Sequence, residues 1–89
     1  MRTIVHTRQF EKDVKLASPR GKEMEKLKAV IKILEKEETL EARYRKHRLK
    51  GSYKGRLECH IEPDLVLIYK IEGSVIVFER TGTHADLFE

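Results

Sequence analysis

Three apolar segments separated by two short turns restrict the fold of this chain more than any other feature. The first segment, "RLECHIE", alternates between apolar and polar residues, as a strand with one buried face does. Its apolar side chains, Leu57, Cys59 and Ile61, share one face, and its polar side chains, Arg56, Glu58 and His60, share the other. The runs "LVLIYKI" and "VIVFER" follow after the turn sequences "EPD" and "EGS". Because strands joined by such short turns pair side by side, residues 56–80 are predicted to form an antiparallel meander.

The N-terminal part of the chain predicts two helices that cover this sheet. After a short strand in "RTIVHT", Thr7 can cap a helix in "TRQFEKDVKLA", and "SPRG" breaks it. A longer helix is predicted from about Lys22 to Glu38. Apolar residues recur at helical spacing in both, at Phe10, Val14 and Ala17 and then at Met24, Leu27, Ile31 and Leu34. We therefore expect an α+β fold, with a helical hairpin packed on one face of a twisted, mainly antiparallel sheet and the N-terminal strand at or near its edge.

The length and the cysteine content narrow the class of protein. Eighty-nine residues suffice for one domain, which we expect to span residues 1–89. The single cysteine, Cys59, excludes an internal disulfide and the zinc motifs built from several cysteines. No apolar run approaches the roughly 18 residues of a membrane helix, and "MRTIVHTRQFEKD" turns polar too soon for a signal peptide. The simplest expectation is a cytoplasmic protein without a membrane segment.

Basic charge is concentrated in one part of the chain. The net charge is +4, and the basic segment from Arg43 to Arg56, "RYRKHRLKGSYKGR", holds seven Lys or Arg residues and no acid. From Leu57 onward there are two basic and seven acidic residues. With Tyr44 and Tyr53 interleaved, this segment is typical of a surface that binds phosphates and stacks on bases. A solvated face that keeps the protein soluble is the alternative, and composition leaves both open.

The polar face of the first meander strand is expected to lie away from the helices, open and beside the basic segment. Residues able to carry out chemistry are predicted near it: His47, His60, Asp64, Arg80, His84 and Phe88. Each has a structural alternative. A strand histidine is often a surface residue, Asp64 is a common turn residue, and Arg80 could pair with Glu79 or Glu62. Phe88 could pack on the core, and His6 is interpreted as structural.

Two chemical interpretations compete for this set. Three histidines and an aspartate could bind zinc or iron, but no two of them have the close spacing of two ligands on one element. The other interpretation is acid–base chemistry without a metal, since an imidazole can both accept and release a proton near neutral pH. An arginine in the same cleft could then hold a phosphate. The second interpretation is favoured, and no cofactor or metal is expected.

The segments "KHRLKGSYKGRLECHIEPDLVLIYK" and "FERTGTHADLF", with a weaker likeness in "FEKDVKLA", resemble the RelE superfamily of bacterial toxins, and within it the YafQ-like branch of ribosome-dependent mRNA interferases. The resemblance implies two helices on an antiparallel sheet. It implies an endoribonuclease that cuts mRNA in the ribosomal A site. It also implies a cognate antitoxin, through which the complex would bind its own operator DNA.

The resemblance also assigns residues. The family's functional positions fall on His47, His60, Asp64, His84 and Phe88, and Arg80 is the implied phosphate ligand. One departure concerns Leu65, because this position can be tryptophan in the family.

The expected mechanism is attack by the RNA 2′-hydroxyl on the adjacent phosphate. The histidines would transfer protons, and Asp64 would orient a histidine or act as a base. Arg80, with Lys50, Lys54 and Arg56 from the basic segment, would stabilise negative charge. Which histidine donates and which accepts is left open. A gyrase-inhibiting toxin of the same fold and a non-catalytic RNA- or ribosome-binding module are the alternatives.

Overall fold

The computed structural model describes residues 1–17 and 22–88, so the predicted break at "SPRG" falls outside the described residues. The strands are β1 (Thr3–His6), β2 (His47–Arg48), β3 (Leu57–Glu62), β4 (Leu65–Glu72) and β5 (Val75–Gly82). The helices are α1 (Arg8–Ala17), α2 (Lys22–Glu35) and α3 (His84–Phe88), with short 3₁₀ turns at Ala42–Tyr44 and Gly51–Tyr53.

The strands form one five-stranded sheet in the order β1-β5-β4-β3-β2. The meander prediction is confirmed, since β3 pairs antiparallel with β4 and β4 pairs antiparallel with β5. β1 lies at one edge, as expected, and runs parallel to β5. At the other edge β2, which the sequence analysis did not predict, pairs antiparallel with β3. The predicted α+β class, with helices on a mainly antiparallel sheet, is confirmed.

Local hydrogen bonds define where the two long helices begin and end. Thr7 caps α1 as predicted: its Oγ1 accepts a hydrogen bond from the Phe10 amide at 3.0 Å and donates one to the Glu79 carbonyl at 2.9 Å. α2 ends at Glu35, earlier than predicted. Glu37 adopts a left-handed φ of 62°, its amide bonds to the Leu34 carbonyl, and the chain leaves the helix there.

The main core lies between the helices and one face of the sheet. Its buried residues come from both long helices, the three meander strands and the 3₁₀ turn at Tyr44: Phe10, Leu27, Val30, Leu34, Tyr44, Cys59, Ile61, Leu65, Leu67, Tyr69, Ile76 and Phe78. Cys59 and Ile61 point into this core and Leu57 packs against it, as the alternation in β3 predicted. This face therefore holds the apolar stripes of both helices.

The other face of the sheet is not the open polar surface that we expected. Val66 and Ile68 are fully buried there and pack with Leu87 of α3, and Leu49 and Tyr53 extend this second apolar cluster. The prediction was wrong because the apolar run in β4 supplies side chains to both faces. α3 and the basic segment cover one part of this face, and we call the neighbouring part, which carries His47 and His60, the cleft.

Candidate active site

Five aromatic rings form a row along the cleft, and we call them the ring row. Successive ring centroids are 6.1 Å apart from His47 to His60, 5.3 Å to His84, 5.6 Å to Phe88 and 5.5 Å to Tyr53. β2 supplies the first histidine, β3 the second, α3 the third and the phenylalanine, and a 3₁₀ turn the tyrosine. The structure therefore brings together the three histidines and the phenylalanine that were singled out from the sequence.

Glu58 links two of these histidines and was not singled out from the sequence. Its Oε1 lies 3.0 Å from Nε2 of His47 and 3.0 Å from Nε2 of His60. The Glu58 side chain is only 4% exposed, so the imidazoles replace the water that a buried carboxylate needs. The sequence contained the information needed to find Glu58, because residues two apart on a strand share a face and Glu58 therefore lies beside His60.

The partners of His47 determine which of its nitrogens carry protons. Nδ1 lies 2.9 Å from the Arg45 carbonyl, which can only accept, so Nδ1 carries a proton and donates it. Nε2 faces the Glu58 carboxylate, which also only accepts when it is ionised. His47 thus has a protein group close to each of its nitrogens, the Arg45 carbonyl at Nδ1 and the Glu58 carboxylate at Nε2. Arg45 presents its carbonyl from a left-handed conformation (φ 50°, ψ 46°), which is uncommon for a residue other than glycine.

The partners of His60 leave one of its nitrogens available. Nε2 donates to Glu58, so in a neutral ring Nδ1 is the unprotonated nitrogen. In the part of the chain that the structure describes, no protein group hydrogen-bonds to this Nδ1. His60 can therefore accept a proton on the side that Glu58 does not occupy.

One cluster of polar atoms has the composition of a metal site. The Glu58 carboxylate and the imidazoles of His47 and His60 bring their atoms within 4.8 Å of one another. Two imidazoles and a carboxylate can hold zinc or a similar ion. This triplet differs from the set considered in the sequence, because Glu58 stands in it and Asp64 does not.

A short turn and helix place His84 in the ring row. The Thr83 amide donates to Asp86 Oδ2 and the Asp86 amide donates to Thr83 Oγ1, both at 3.1 Å, which closes a reciprocal cap at the start of α3. Leu87 then anchors α3 in the second apolar cluster. His84 is exposed at the mouth of the cleft, on a backbone that is held at both ends.

The two arginines proposed to bind phosphate already have carboxylate partners. Arg80 donates through Nε to Asp13 Oδ2 at 2.8 Å and through Nη2 to Asp13 Oδ1 at 3.2 Å, and this hydrogen bonding raises the pKa of Arg80. Asp13 is therefore its partner, rather than Glu79 or Glu62. Glu79 instead accepts from Arg56 at 2.8 Å, which raises the pKa of Arg56.

Cations of the basic segment line a groove together with residues of β3 and β4. The groove has a volume of about 680 Å³, and Arg48, Lys50, Lys54 and Arg56 line it together with Leu49 and Ile71. The side chains of Lys50 and Lys54 are exposed to solvent. Within the described part of the chain, neither Lys50 nor Lys54 is ion-paired with a carboxylate, so both offer positive charge that is not neutralised in this way.

Asp64 and Leu65 occupy different environments from those the sequence suggested. Asp64 is exposed in the turn after β3, and within residues 1–17 and 22–88 no hydrogen bond joins it to a histidine. The carboxylate that orients the histidines is therefore Glu58. Leu65 is 1% exposed in the main core, so it packs and is not available to stack on a ligand. Phe88 is 42% exposed, and Leu87 is the residue that packs into the protein.

No helix in the described ranges is long and apolar enough to span a membrane.

The two long helices lie on one face of the meander, and the histidines with the buried Glu58 carboxylate lie on the other. A family model described as "Bacterial toxin of type II toxin-antitoxin system, YafQ" matches residues 2–89. The chain belongs to the YafQ family.

Relatives of known structure or name support this assignment. The chain is 49% identical to the mRNA interferase toxin YafQ of Escherichia coli K12 over 88 residues, which cover 98% of this chain and 96% of the relative. It matches a chain of the E. coli DinJ–YafQ complex with a TM-score of 0.90 and 48% identity over the full length of both chains. A metal-bound toxin from Helicobacter pylori matches with a TM-score of 0.89 and 37% identity, over 99% of this chain and 100% of that one.

Proposed function

We propose that this protein is an mRNA interferase: a toxin that cleaves mRNA in the ribosomal A site and that a cognate antitoxin neutralises. The observation that carries the proposal is the ring row, in which two imidazoles share the buried carboxylate of Glu58 and the third stands 5.3 Å beyond. The name of the E. coli relative supports the same activity. Because ribosomes are the site of action, the proposed location is the cytoplasm.

The proposed reaction uses the nucleophile that RNA itself supplies. The 2′-hydroxyl attacks the adjacent phosphorus, and the bond to the 5′ oxygen of the next nucleotide breaks. The products are a 2′,3′-cyclic phosphate and a free 5′-hydroxyl. The protein must remove the 2′ proton, stabilise the extra negative charge on the phosphorane and protonate the leaving 5′ oxygen.

The hydrogen bonds of the ring row suggest how these tasks are divided. Both nitrogens of His47 are occupied, Nδ1 by the Arg45 carbonyl and Nε2 by the nearby Glu58 carboxylate, so we assign it a positioning role. His60 has Nδ1 available for proton transfer, and exposed His84 is its neighbour. We assign the two proton transfers to His60 and His84, each contributing about 10²–10⁴-fold to the rate. Asp64 is retained as a catalytic candidate on the family resemblance alone.

Phosphate and base binding are assigned to the ends of the ring row. Lys50 and Lys54 would hold flanking phosphates without giving up an existing ion pair. Arg56 and Arg80 would stay paired with Glu79 and Asp13 and would add positive charge closer to the reacting phosphate. Phe88 meets Tyr53 edge to face, at 75°, and its exposed ring offers a surface on which a base can stack.

The test is cleavage of mRNA on translating ribosomes, with the new 5′ ends mapped after induction of the toxin. His60→Ala and His84→Ala are expected to abolish new ends, while circular dichroism shows that both proteins remain folded. His6→Ala, outside the ring row, is the matched control and should cleave normally. Full cleavage by both ring-row variants would overturn the proposal. DNA damage without new mRNA ends would instead identify a gyrase inhibitor, and ribosome binding without new ends a non-catalytic module.

The proposed antitoxin is a protein that covers the basic groove and the ring row. The E. coli relative was crystallised in complex with DinJ, which supports a protein partner of this kind. An acidic segment with apolar side chains would complement the lysines of the groove and its walls of Leu49 and Ile71. Charge-reversed Lys50→Glu and Lys54→Glu variants should both lose affinity for the antitoxin encoded beside this gene. The operator complex would then form through that antitoxin.

A further inference from the structure

We propose that a cavity behind His60 is a binding subsite for one nucleobase next to the cleaved phosphate. This inference rests on the proposed nuclease function and adds a determinant of sequence preference to it. The cavity has a volume of about 480 Å³ and lies between α2 and the end of β3. Its walls include Ala29, Arg43, Tyr44, Arg45, His60 and Ile61. Its size is in the range of about 300–1,000 Å³ that small-molecule sites occupy.

The walls suit a flat, uncharged ring. Ala29, Ile61 and Pro63 supply apolar surface. The guanidinium of Arg43 lies over the Tyr44 ring, 4.8 Å from its centroid, and donates to the Tyr44 hydroxyl at 2.9 Å. These contacts hold the guanidinium in one orientation, and such a plane is a good surface for stacking a base.

The charges around the cavity disfavour a phosphate as its occupant. Glu25 and Glu62 line it together with the basic residues, and Lys26 is paired with Glu62. Arg43 is also near a carboxylate, 3.5 Å from Glu41. A phosphate placed here would meet acidic groups, whereas the donors and acceptors of a base can use both kinds of partner. Phosphates are better accommodated in the groove that Lys50 and Lys54 line.

Two residues join the cavity to the ring row. His60 belongs to both, since its ring lines the cavity and also stands between His47 and His84. Arg45 lines the cavity as well, and its carbonyl holds Nδ1 of His47. A base in the cavity would therefore lie one nucleotide from the reacting phosphate and would contact the groups that align the histidines. The preference it imposes should appear at a single position beside the cut.

Ala29 allows this subsite to be filled without disturbing the core. It is exposed on α2, so a larger side chain can extend into the cavity while the helix stays packed. Ala29→Leu is expected to reduce or change the base preference at one position flanking the cleavage site. It should also lower kcat/KM for the preferred mRNA about tenfold, as loss of one stacked base does. Arg43→Ala is the second variant and should have the same effect. Lys32→Leu, one turn further along α2 and outside the cavity, should leave both quantities unchanged.

A binding measurement separates this inference from the nuclease proposal. Each of the four nucleoside 5′-monophosphates, and ribose 5-phosphate as the probe without a base, would be titrated into the ¹⁵N-labelled protein. At least one nucleotide should shift the amide signals of Ala29 and Ile61 more than ribose 5-phosphate does, and Ala29→Leu should remove the difference. That result supports a base subsite even if the protein cleaves no mRNA. If ribose 5-phosphate shifts these signals as much as every nucleotide does, and both variants keep the wild-type preference, the cavity is not a base subsite.

Discussion

Glu58 and His47 face each other across the β2–β3 pair, and Oε1 of the carboxylate lies 3.0 Å from Nε2 of the imidazole. The other imidazole nitrogen donates to the Arg45 carbonyl. The ion pair thus combines a buried acid with a base that no longer has a free nitrogen.

Replacement of Glu58 should uncouple the two imidazoles it binds. In Glu58→Gln the amide can still accept a hydrogen bond but carries no charge, so His47 loses the partner that stabilises its cationic form. We expect cleavage to fall about 10²-fold or more. The ¹⁵N chemical shifts of the His47 ring should also move from their wild-type values, because the ring loses a carboxylate neighbour at 3.0 Å. The control is Glu72→Gln, because the Glu72 side chain at the end of β4 is exposed. Wild-type ring shifts in Glu58→Gln would contradict the ion pair.

Removal of metal ions should leave the reaction intact. The 2′-hydroxyl is the nucleophile, and the imidazoles can carry both protons, so no step requires a metal-bound water. Protein treated exhaustively with EDTA should cleave ribosome-bound mRNA at the untreated rate, provided that magnesium is restored to keep the ribosome assembled. Added zinc should slow cleavage by occupying the His47–Glu58–His60 triplet. Loss of activity on chelation that zinc restores would establish a metal-dependent mechanism instead.

Asp13 is expected to be a major determinant of stability. Its carboxylate accepts two hydrogen bonds from Arg80, one from the Thr81 amide at 3.1 Å and one from Gln9 at 3.1 Å. Asp13→Ala would leave the partly buried guanidinium and the buried amide without an acceptor. The free energy of unfolding, measured in urea, should fall by about 2–4 kcal/mol.

A matched control for Asp13 comes from the other face of the same helix. Glu11→Ala removes an exposed carboxylate near His6 and should change the free energy of unfolding by less than about 0.5 kcal/mol. Equal effects of the two substitutions would mean that the Asp13–Arg80 pair contributes little.

Gly82 is expected to be required for placement of His84. Its φ is +155°, and an added Cβ would lie 3.1 Å from Asp86 Oδ2 and 3.2 Å from Asp86 Cβ. Gly82→Ala should push α3 out of its cap and lower cleavage strongly, while circular dichroism shows the helices of the main core intact. Ala85→Ser, exposed on α3, is the control. Normal cleavage by Gly82→Ala would show that α3 adjusts without moving the histidine.

The buried thiol makes stability depend on alkaline pH. Burial raises the pKa of Cys59 to about 12 from an ordinary value of 9.0. Because the folded state favours the protonated thiol, its contribution to stability is complete below pH 9. That contribution should be lost as the pH rises from about 9 towards 12. Cys59→Ala should remove this part of the pH dependence in urea unfolding, and the wild-type thiol should react with Ellman's reagent at pH 8 only on unfolding.

The pattern of the sequence was sufficient for the sheet and the helices but not for every residue of the site. The alternation of apolar and polar residues predicted β3 and placed His60 on its polar face. Because β5 runs antiparallel to β4, the chain returns and brings His84 near His60. Arg80 and Asp13 are 67 positions apart and on different elements, so no local pattern predicts that they pair. β2 has two residues and no periodicity to detect. The covered second face was not predicted, although the apolar run that contains Val66 and Ile68 is what buries both sides of β4.

α3 carries His84 on one side and the anchor Leu87 on the other. Lifting this helix would remove a proton-transfer group and, in the same movement, bring Val66 and Ile68 into contact with water. Any molecule that silences the protein in this way must replace the lost anchor with an aliphatic side chain of its own. An inhibitor that lifted α3 but bound only through charged groups would leave Val66 and Ile68 exposed, and the protein would then be prone to aggregate.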